Sequence, residues 1–184
     1  MSKMQNRTNC VILYHGSVIP NLNCIKANAN SHSQDKKVAY FTEDRIYALV
    51  CCRKREENFV TMGLREDGKQ HYFERFPNQL ETMYKNKEGY LYELLDNKDL
   101  VHTKGRTWES DKDVIVDKCD YISDVYEEIL KEEQLGNIII HRYAEIAPEE
   151  QKMHANYIRD YLGDETQNKE YREFLVKHFS PLWD

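Results

Sequence analysis

In Leu13-Tyr14-His15-Gly16-Ser17, a histidine, a glycine and a serine come directly after a short apolar run that begins at Cys10. In Val38-Ala39-Tyr40-Phe41-Thr42-Glu43-Asp44-Arg45-Ile46-Tyr47-Ala48-Leu49, a second apolar run is followed at once by apolar residues at helical spacing. We predict strands over 10–14 and 38–41, because short apolar runs bounded by glycine or polar residues are typical of buried strands. Thr42 is a favourable N-cap for a helix that extends to about residue 54. Polar and aromatic side chains at the ends of two buried strands are typical of a cleft for a small ligand.

The composition is that of an ordinary folded domain. With 184 residues the chain is long enough to bury a hydrophobic core, and 40% apolar with 32% charged residues is usual for globular proteins. We therefore predict one domain over 1–184. The net charge of −6 disfavours a broad nucleic-acid-binding surface, because phosphate binding requires clustered Lys and Arg side chains.

The cysteines and the N-terminus indicate a cellular compartment. The five cysteines are odd in number and their spacing has no zinc pattern. The N-terminus is polar and lacks the apolar segment of a signal peptide, and no apolar run approaches the roughly 20 residues of a membrane span. We expect a reduced, cytoplasmic protein with no metal and no membrane association, in which the cysteines are small core residues or incidental thiols.

The middle of the chain alternates between strand signals and polar connections. Residues 18–37 are rich in Asn and Ser and predict mostly loop. A hairpin is predicted from strands 59–64 and 70–76, because Asp67-Gly68 between them is a strong turn signal. A helix is expected from Pro77 to Gly89, then a strand over 90–95, a polar connection over 96–107 and a strand within 108–116.

The last third of the chain is dominated by helix signals. We predict helices from Ser123 to Gly136, from Pro148 to Gly163 and over 169–178, with one short strand at 138–140. Strands that cluster, with hairpins among them and helices gathered late, indicate an α+β fold. Residues 147–184 are expected to form a helical C-terminal cap on the sheet.

Several common active-site motifs are missing from the sequence. The chain has no G-x-G-x-x-G or other glycine-rich phosphate loop, no H-E-x-x-H and no G-x-S-x-G elbow. Its histidines are dispersed along the chain. Any catalytic chemistry therefore depends on single side chains that the fold brings together.

Three short motifs, taken in order, resemble a known family. Tyr14-His15-Gly16-Ser17, Tyr40-Phe41-Thr42 and Tyr47-Ala48 are similar to the N-terminal half of the ADP-ribosyltransferases, in the diphtheria-toxin and poly(ADP-ribose) polymerase branch that uses a His-Tyr-Glu set. In that branch a first strand ends in His-Gly-Ser or His-Gly-Thr, a second strand carries Tyr-Phe, and a helix with a further tyrosine follows. The resemblance covers residues 13–50. The family's glycine before the second tyrosine strand is missing, since Asp35-Lys36-Lys37-Val38 stands in that place.

The resemblance implies an ADP-ribosyltransferase-like split antiparallel sheet with flanking helices, and NAD as a substrate. It implies that His15 hydrogen-bonds a ribose hydroxyl and that the backbone of Gly16 meets the nicotinamide carboxamide, where no side chain blocks close approach. It also implies that Tyr40 and Tyr47 sandwich the nicotinamide ring. Considered singly, a histidine at a strand end is more often a surface or turn group than a ligand contact, and each tyrosine is more often a core ring between strand and helix. Only their joint order favours the functional interpretation.

Hydroxyl groups beside these residues extend the predicted site. Ser17 or Thr42 can add a hydrogen bond to the nicotinamide amide. The family also places a catalytic glutamate at the start of a later strand, where its carboxylate stabilises an oxocarbenium-like centre. Glu109, in Trp108-Glu109-Ser110, fits best by position, and Glu74 and Glu145 are its rivals. Each of the three is otherwise a solvated carboxylate.

Two functions from different classes follow from this pattern. The first is an NAD-dependent ADP-ribosyltransferase-like enzyme that transfers ADP-ribose to a protein, a nucleic acid, a small molecule or water. The alternative is a non-catalytic nucleotide- or protein-binding module on the same fold. A regulatory α+β domain without a small ligand is the third interpretation, and a cleft filled by its own side chains would favour it.

Overall fold

The structure is a computed structural model that describes residues 11–31, 35–54, 57, 59–95, 100–162 and 169–183. Within these residues the chain is α+β, as predicted, with antiparallel strand pairs and several helices. It divides into two compact units, each built from two segments of chain: 1–51 with 90–121, and 52–89 with 122–184. The single domain over 1–184 stays a prediction.

Twelve strands and five α-helices are found in the described residues. The strands are β1 Leu13–Ser17, β2 Cys24–Ile25, β3 Ala29–Asn30, β4 Lys37–Thr42, β5 Thr61–Leu64, β6 Gln70–Phe73, β7 Gly89–Leu94, β8 Val101–His102, β9 Thr107–Ser110, β10 Val114–Ile115, β11 Lys118–Ile122 and β12 Ile138–His141. The helices are α1 Arg45–Val50, α2 Gln79–Tyr84, α3 Val125–Gln134, α4 Pro148–Tyr161 and α5 Lys169–Phe179.

The first unit is built on one sheet with strand order β11-β7-β1-β4-β9-β8, with β3 also paired to β4. Along β4, Phe41 is buried in an apolar cluster with Leu13, Ala39 and Tyr92, whereas Tyr40 is only half-buried. Successive side chains of a strand point to opposite faces, so the burial of Phe41 directs Tyr40 to the other face. The core of this unit thereby positions a tyrosine outside it.

The first strand begins and ends later than predicted. It was expected over 10–14, but β1 pairs with β7 from Leu13 opposite Leu94 to Ser17 opposite Tyr90. Val11 and Ile12 are exposed, and Cys10 lies outside the described residues. The backbone pairing with β7 therefore places His15, Gly16 and Ser17 inside the strand and not after its end.

Helix α1 is shorter than predicted and has a different cap. Its N-cap is Asp44, whose side chain accepts a hydrogen bond from the backbone N–H of Tyr47. Thr42, the predicted cap, is the last residue of β4 and lies opposite Thr107 of β9. The helix ends at Val50, because Cys51 is already its C-cap, and not near residue 54.

Two predicted connections contain short strands. Residues 18–37, expected to be mostly loop, hold β2 and β3, and Ile25 of β2 is buried in the core. The connection predicted over 96–107 holds β8, which pairs with β9. The single strand predicted within 108–116 is divided into β9 and β10, since β10 pairs instead with β2. Strands of two residues are too short to show a hydrophobic period.

The second unit contains a three-stranded sheet in the order β12-β6-β5 and helices α2 to α5. β5 and β6 form the predicted antiparallel hairpin, and Gly68 in its turn has a positive φ of 77°. β12 pairs with β6 in the parallel direction. Phe76 packs with Ile158 of α4 and with Leu175 and Phe179 of α5. The helical C-terminal cap over 147–184 stays a prediction, since α4 and α5 belong to this second unit.

Several element ends in the second unit differ from the prediction. α2 ends at Tyr84, and Gly89, predicted to end that helix, is the first residue of β7. Asp124, and not Ser123, caps α3, because its carboxylate accepts hydrogen bonds from two backbone N–H groups of the first turn. Gly163, the predicted end of α4, lies outside the described residues.

No helix in the part of the chain that the structure describes combines the length and the apolar character needed to cross a bilayer. Among the described residues, Cys24, Cys51, Cys52 and Cys119 are not in disulfide bonds; Cys52 is buried and Cys119 is exposed. The reduced, cytoplasmic compartment stays a prediction.

Candidate functional site

Three neighbouring strands of the first unit carry the predicted histidine, tyrosine and glutamate. β4 lies between β1 and β9. Tyr40 of β4 is directly opposite Glu109 of β9 in the antiparallel ladder, and Tyr14 of β1 is opposite Thr42 of β4. Directly opposite residues project on the same face of a sheet, so the side chains of Tyr40 and Glu109 are neighbours.

One cavity of about 890 Å³ collects most of the predicted residues. This volume is within the range of small-molecule and cofactor sites. The cavity is lined by the predicted side chains or backbone of His15, Gly16, Tyr40, Thr42, Tyr47 and Glu109, by Tyr14, Phe41, Ala48 and Cys51 beside them, and by Val101, His102, Thr103, Lys104 and Thr107 of the β8–β9 hairpin. It is an open cleft and is not filled by its own side chains.

His15 is held in one tautomer by the backbone of β4. Its Nδ1 lies 2.9 Å from the carbonyl oxygen of Tyr40. A carbonyl only accepts hydrogen bonds, so Nδ1 carries the hydrogen and the neutral ring keeps Nε2 as an acceptor. Burial lowers the pKa of His15 below its usual value, against the opposing effect of the hydrogen bond to Tyr40. His15 is therefore a neutral group that can accept a hydrogen bond from a ligand hydroxyl.

The two predicted tyrosines both line the cavity without being core residues. Tyr40 is half-buried, and its hydroxyl donates to the backbone carbonyl of Asn30 at 3.0 Å. Tyr47 is in the first turn of α1 and its side chain is exposed, at 43% of its full area. Partly exposed aromatic rings on a cavity offer faces for stacking against a planar ligand group.

Gly16 lies where the helix α1 crosses β1. A Cβ built on Gly16 would lie 2.7 Å from the carbonyl carbon of Ala48, still closer to its oxygen, and 3.3 Å from Cβ of Cys51. The helix backbone thus occupies the space that a side chain would need. Glycine at this position is explained by packing alone, and any contact of its backbone with a ligand is additional.

The two predicted hydroxyl groups differ in position. Thr42 lines the cavity, and its Oγ1 accepts a hydrogen bond from the backbone N–H of Asp44 at 3.1 Å. Ser17 does not line the cavity, and its Oγ accepts from the backbone N–H of Ile19 at 3.1 Å. Of the two, only Thr42 is placed to meet a ligand there.

The three candidate glutamates have different surroundings. Glu109 lines the cavity, is 4% exposed and accepts a hydrogen bond from Ser31 Oγ at 3.1 Å. Glu74 lies in the second unit, where its two carboxylate oxygens accept from the backbone N–H groups of Leu80 and Tyr143, at 2.9 and 3.0 Å. Because those bonds occupy both oxygens, Glu74 has a structural role.

The third candidate, Glu145, is also in the second unit. It lies in a short 3₁₀ turn, Tyr143–Glu145, and its Oε2 accepts from the backbone N–H of Arg142 at 3.0 Å. Its side chain is exposed to solvent and does not line the cavity of the first unit. Glu109 is therefore the one of the three carboxylates on this cavity.

The sequence analysis missed the hairpin between β8 and β9. The backbone N–H of Thr103 donates to the carbonyl of Thr107 at 2.9 Å, and that of Thr107 donates to the carbonyl of Lys104 at 3.0 Å. Gly105 turns the chain with a φ of +61°, and His102 Nε2 donates to its carbonyl at 2.7 Å. Gly105 within a polar stretch was the available signal, since a glycine with positive φ is typical of a tight turn.

Two side-chain contacts tie this hairpin to the start of α1. Arg106 Nη1 donates to Asp44 Oδ2 at 3.0 Å, and Trp108 Nε1 donates to Glu43 Oε1 at 2.8 Å. Asp44 also caps α1, the helix that carries Tyr47. The hairpin and Tyr47 therefore share one support, and residues of both line the cleft.

The part of the chain that the structure describes contains no group of three or more His, Cys, Asp or Glu side chains placed to hold a metal ion. Comparisons of the chain with protein-family models, with curated proteins and with solved structures find no match. The function of this chain is therefore inferred from the residues of the cavity and their geometry.

Proposed function

We propose that this protein is an NAD-dependent ADP-ribosyltransferase-like enzyme, which binds NAD in the cavity of the first unit and transfers ADP-ribose to an acceptor or to water. One observation carries the proposal. Tyr40 and Glu109 are directly opposite each other on neighbouring strands, and His15 on the third strand is hydrogen-bonded to the backbone of Tyr40. A histidine, a tyrosine and a glutamate on one cleft are the set that the sequence resemblance implies.

Each side chain has a chemical role in this proposal. His15 accepts a hydrogen bond from a hydroxyl of the nicotinamide ribose at Nε2, because Nδ1 is bound to the Tyr40 carbonyl. Tyr40 and Tyr47 offer ring faces to the nicotinamide. The Glu109 carboxylate faces the positive charge that develops on the sugar as the glycosidic bond opens.

The bonds of the reaction balance without a further reagent. The bond between C1′ of the ribose and the nicotinamide nitrogen breaks, and nicotinamide leaves with the electron pair. An acceptor nucleophile, or water, forms the new bond to C1′ and releases its proton to the solvent or to Glu109. The sequence and the cavity support NAD as the donor and leave the class of acceptor open.

The test combines NAD binding by calorimetry with release of nicotinamide in the same samples. His15→Ala and Tyr40→Ala should weaken NAD binding by tenfold or more, since each removes a direct contact. Glu109→Gln should keep NAD affinity within a few-fold and lower nicotinamide release by about 100-fold or more, the usual effect of removing an electrostatic group from a transition state. Glu145→Gln is the matched control, because Glu145 is an exposed carboxylate away from the cavity lining.

The other possible results of this experiment distinguish the enzyme from a binding module and from a scaffold without a ligand. NAD binding that depends on His15 and Tyr40, with no nicotinamide release from the wild-type protein, would identify a nucleotide-binding module on the same fold. No binding at millimolar NAD, by a protein shown to be folded, would refute the proposal and leave these side chains as scaffold.

A further inference from the structure

Lys104 is a charged side chain on the cavity lining whose ammonium group makes no ion pair within the described residues. Among the described residues that line the cleft, it alone carries a permanent positive charge. It is exposed at the tip of the β8–β9 hairpin, and its Nζ has no ion pair in the part of the chain that the structure describes. The other ionisable groups beside the nicotinamide end are already bound, Glu109 to Ser31 and His15 to the Tyr40 carbonyl.

The hairpin tip lies at a defined distance along the sheet from the proposed reaction centre. Thr107 is the first residue of β9 and Glu109 is two residues further along the same strand, which is about 7 Å at the rise of an antiparallel strand. Lys104 precedes Thr107 across the turn, and both line the cavity. In NAD, one ribose separates the glycosidic carbon from the diphosphate. A sugar held with its C1′ at Glu109 can therefore direct its diphosphate to the hairpin tip.

We propose that Lys104 binds the diphosphate of the substrate and makes this cleft selective for diphosphate-bridged dinucleotides over nicotinamide nucleosides. This inference rests on the proposed function, since it uses the same cavity. An ammonium group binds a phosphate as a compact point charge, and the bond is among the stronger hydrogen bonds because both partners are charged. Thr107 lines the same border of the cleft and carries a hydroxyl group, whereas Thr103 Oγ1 donates to the Thr107 carbonyl at 3.2 Å and supports the turn.

The neighbouring groups are compatible with an anion at this place. The two carboxylates in the support of the hairpin are already bound: Asp44 to Arg106 and the backbone of α1, and Glu43 to Trp108 Nε1. His102 donates its Nε2 hydrogen to the Gly105 carbonyl and holds the turn closed. The ammonium of Lys104 is thus presented on an ordered turn.

The experiment measures the affinity of the full chain for NAD, ADP-ribose and nicotinamide riboside by calorimetry. Lys104→Ala should weaken NAD and ADP-ribose, which carry the diphosphate, by about tenfold to a hundredfold, as expected for a charge-assisted hydrogen bond. Its affinity for nicotinamide riboside should stay within twofold. Lys104→Arg should restore most of the NAD affinity, and Lys112→Ala, which removes an exposed lysine that does not line the cavity, should change none of the three affinities.

The salt dependence of NAD affinity is a second test of the charge interaction at Lys104. Raising the KCl concentration should weaken NAD binding to the wild-type protein more steeply than to Lys104→Ala, because screening acts on the ammonium–phosphate attraction. Thermal unfolding of the variant should match the wild type, since Lys104 is exposed.

Three results would overturn the inference, and they differ in whether they also overturn the proposed function. Equal NAD affinity of wild type and Lys104→Ala would remove Lys104 from the site and leave the proposed function standing. An equal loss for nicotinamide riboside would show that Lys104 acts on the base or sugar and not on the diphosphate. No binding of NAD or of the riboside by the folded wild type would overturn the proposed function and, with it, this inference.

Discussion

Replacing Gly16 by alanine tests the packing that forms one wall of the cleft. A Cβ at this position would lie 2.7 Å from the carbonyl carbon of Ala48. Carbon atoms in favourable contact are about 3.5 Å apart, so relieving the contact with this carbon alone would move the helix α1 or the strand β1 by about 0.8 Å. The carbonyl oxygen of Ala48 lies closer still to the added Cβ and requires a larger movement. The obstacle is backbone, which cannot move aside by changing a rotamer.

The size of the effect follows from two opposing terms. Overpacking of a well-packed site costs about 1–3 kcal/mol and occasionally more. Alanine also restricts the unfolded chain relative to glycine, which offsets about 0.4–1 kcal/mol. Because the clash is with backbone, we expect the upper part of the first range and a net loss of about 2 kcal/mol in the free energy of unfolding.

Urea unfolding followed by circular dichroism measures this loss. With a slope of about 2 kcal/mol per molar urea, the midpoint should fall by about 1 M for Gly16→Ala. Gly63→Ala is the matched control in β5, where an added Cβ would have no atom within 4 Å, and its midpoint should stay the same or rise slightly. Gly89→Ala should fall between them, since its Cβ would meet side-chain atoms of Val125 and Cys52, at 2.7 and 2.9 Å.

A midpoint for Gly16→Ala equal to that of the wild type would contradict this packing. It would mean that the backbone of Ala48 does not lie over Gly16, and the wall formed by α1, with Tyr47 on it, would be wrongly placed. A loss as large for Gly63→Ala would show that the effect comes from alanine itself and not from the close approach of the helix.

Hydrogen bonds and burial of other polar side chains give further measurable expectations. Asp44→Ala removes the cap of α1 and the partner of Arg106, so it should lower the free energy of unfolding, measured in urea, by about 1–2 kcal/mol. Asp44→Asn keeps a capping oxygen and should lose less stability. Equal losses for the two variants would contradict the capping role of Asp44. Glu74→Gln places an amide N–H₂ group against a buried backbone N–H, so it should lower the free energy of unfolding, measured by thermal unfolding, by about 1–3 kcal/mol. The exposed Glu145→Gln should lower it by no more than about 0.5 kcal/mol. Similar losses for both variants would exclude the structural role of Glu74. Burial lowers the pKa of His15 in the folded chain, so the unfolded chain binds a proton at this residue first as the pH falls. The contribution of neutral His15 to folding stability is therefore complete above the usual histidine pKa of about 6.5. It is lost as the pH falls from there toward the lower pKa of the folded chain. His15→Gln should therefore make stability less dependent on pH in acid solution, and an identical pH profile for both proteins would contradict a buried, neutral His15.

Local turn and strand signals in the sequence were sufficient for part of the fold. The hairpin of β5 and β6 was predicted because Asp67-Gly68 is a turn signal by itself, and Gly68 has the positive φ that such a turn requires. β4 was predicted because its apolar run is continuous over Val38 to Phe41 and ends at a helix start. In these places a few neighbouring residues determine the conformation.

Long-range pairing explains most of the errors. The limits of β1 are set by its partner β7, in which Ser17 lies opposite Tyr90, and no local signal reports that register. β2, β3 and β8 have two residues each and exist because a neighbouring strand offers them backbone partners. Asp44 replaced Thr42 as the cap of α1 because Thr42 is paired with Thr107 in the sheet.

The candidate site was predictable only where its residues belong to short local motifs. His15, Tyr40 and Tyr47 were predicted as site residues because their motifs follow one another in order within residues 13–50, and all three line one cavity. Glu109 was favoured over Glu74 and Glu145 by its position in the sequence alone. The register that sets Glu109 opposite Tyr40 has no local signal in the sequence. Lys104 was missed because its hairpin lies in a stretch without a strand pattern.

We propose above that Glu109 acts on NAD held beside His15 and Tyr40. The most direct test is the release of nicotinamide from NAD by the wild-type protein and by Glu109→Gln, at a NAD concentration that saturates both. We predict steady release by the wild type, and release at least about 100-fold slower by the variant with NAD still bound. Equal release by the two proteins would contradict the account, because the carboxylate on the cavity would then have no part in the reaction.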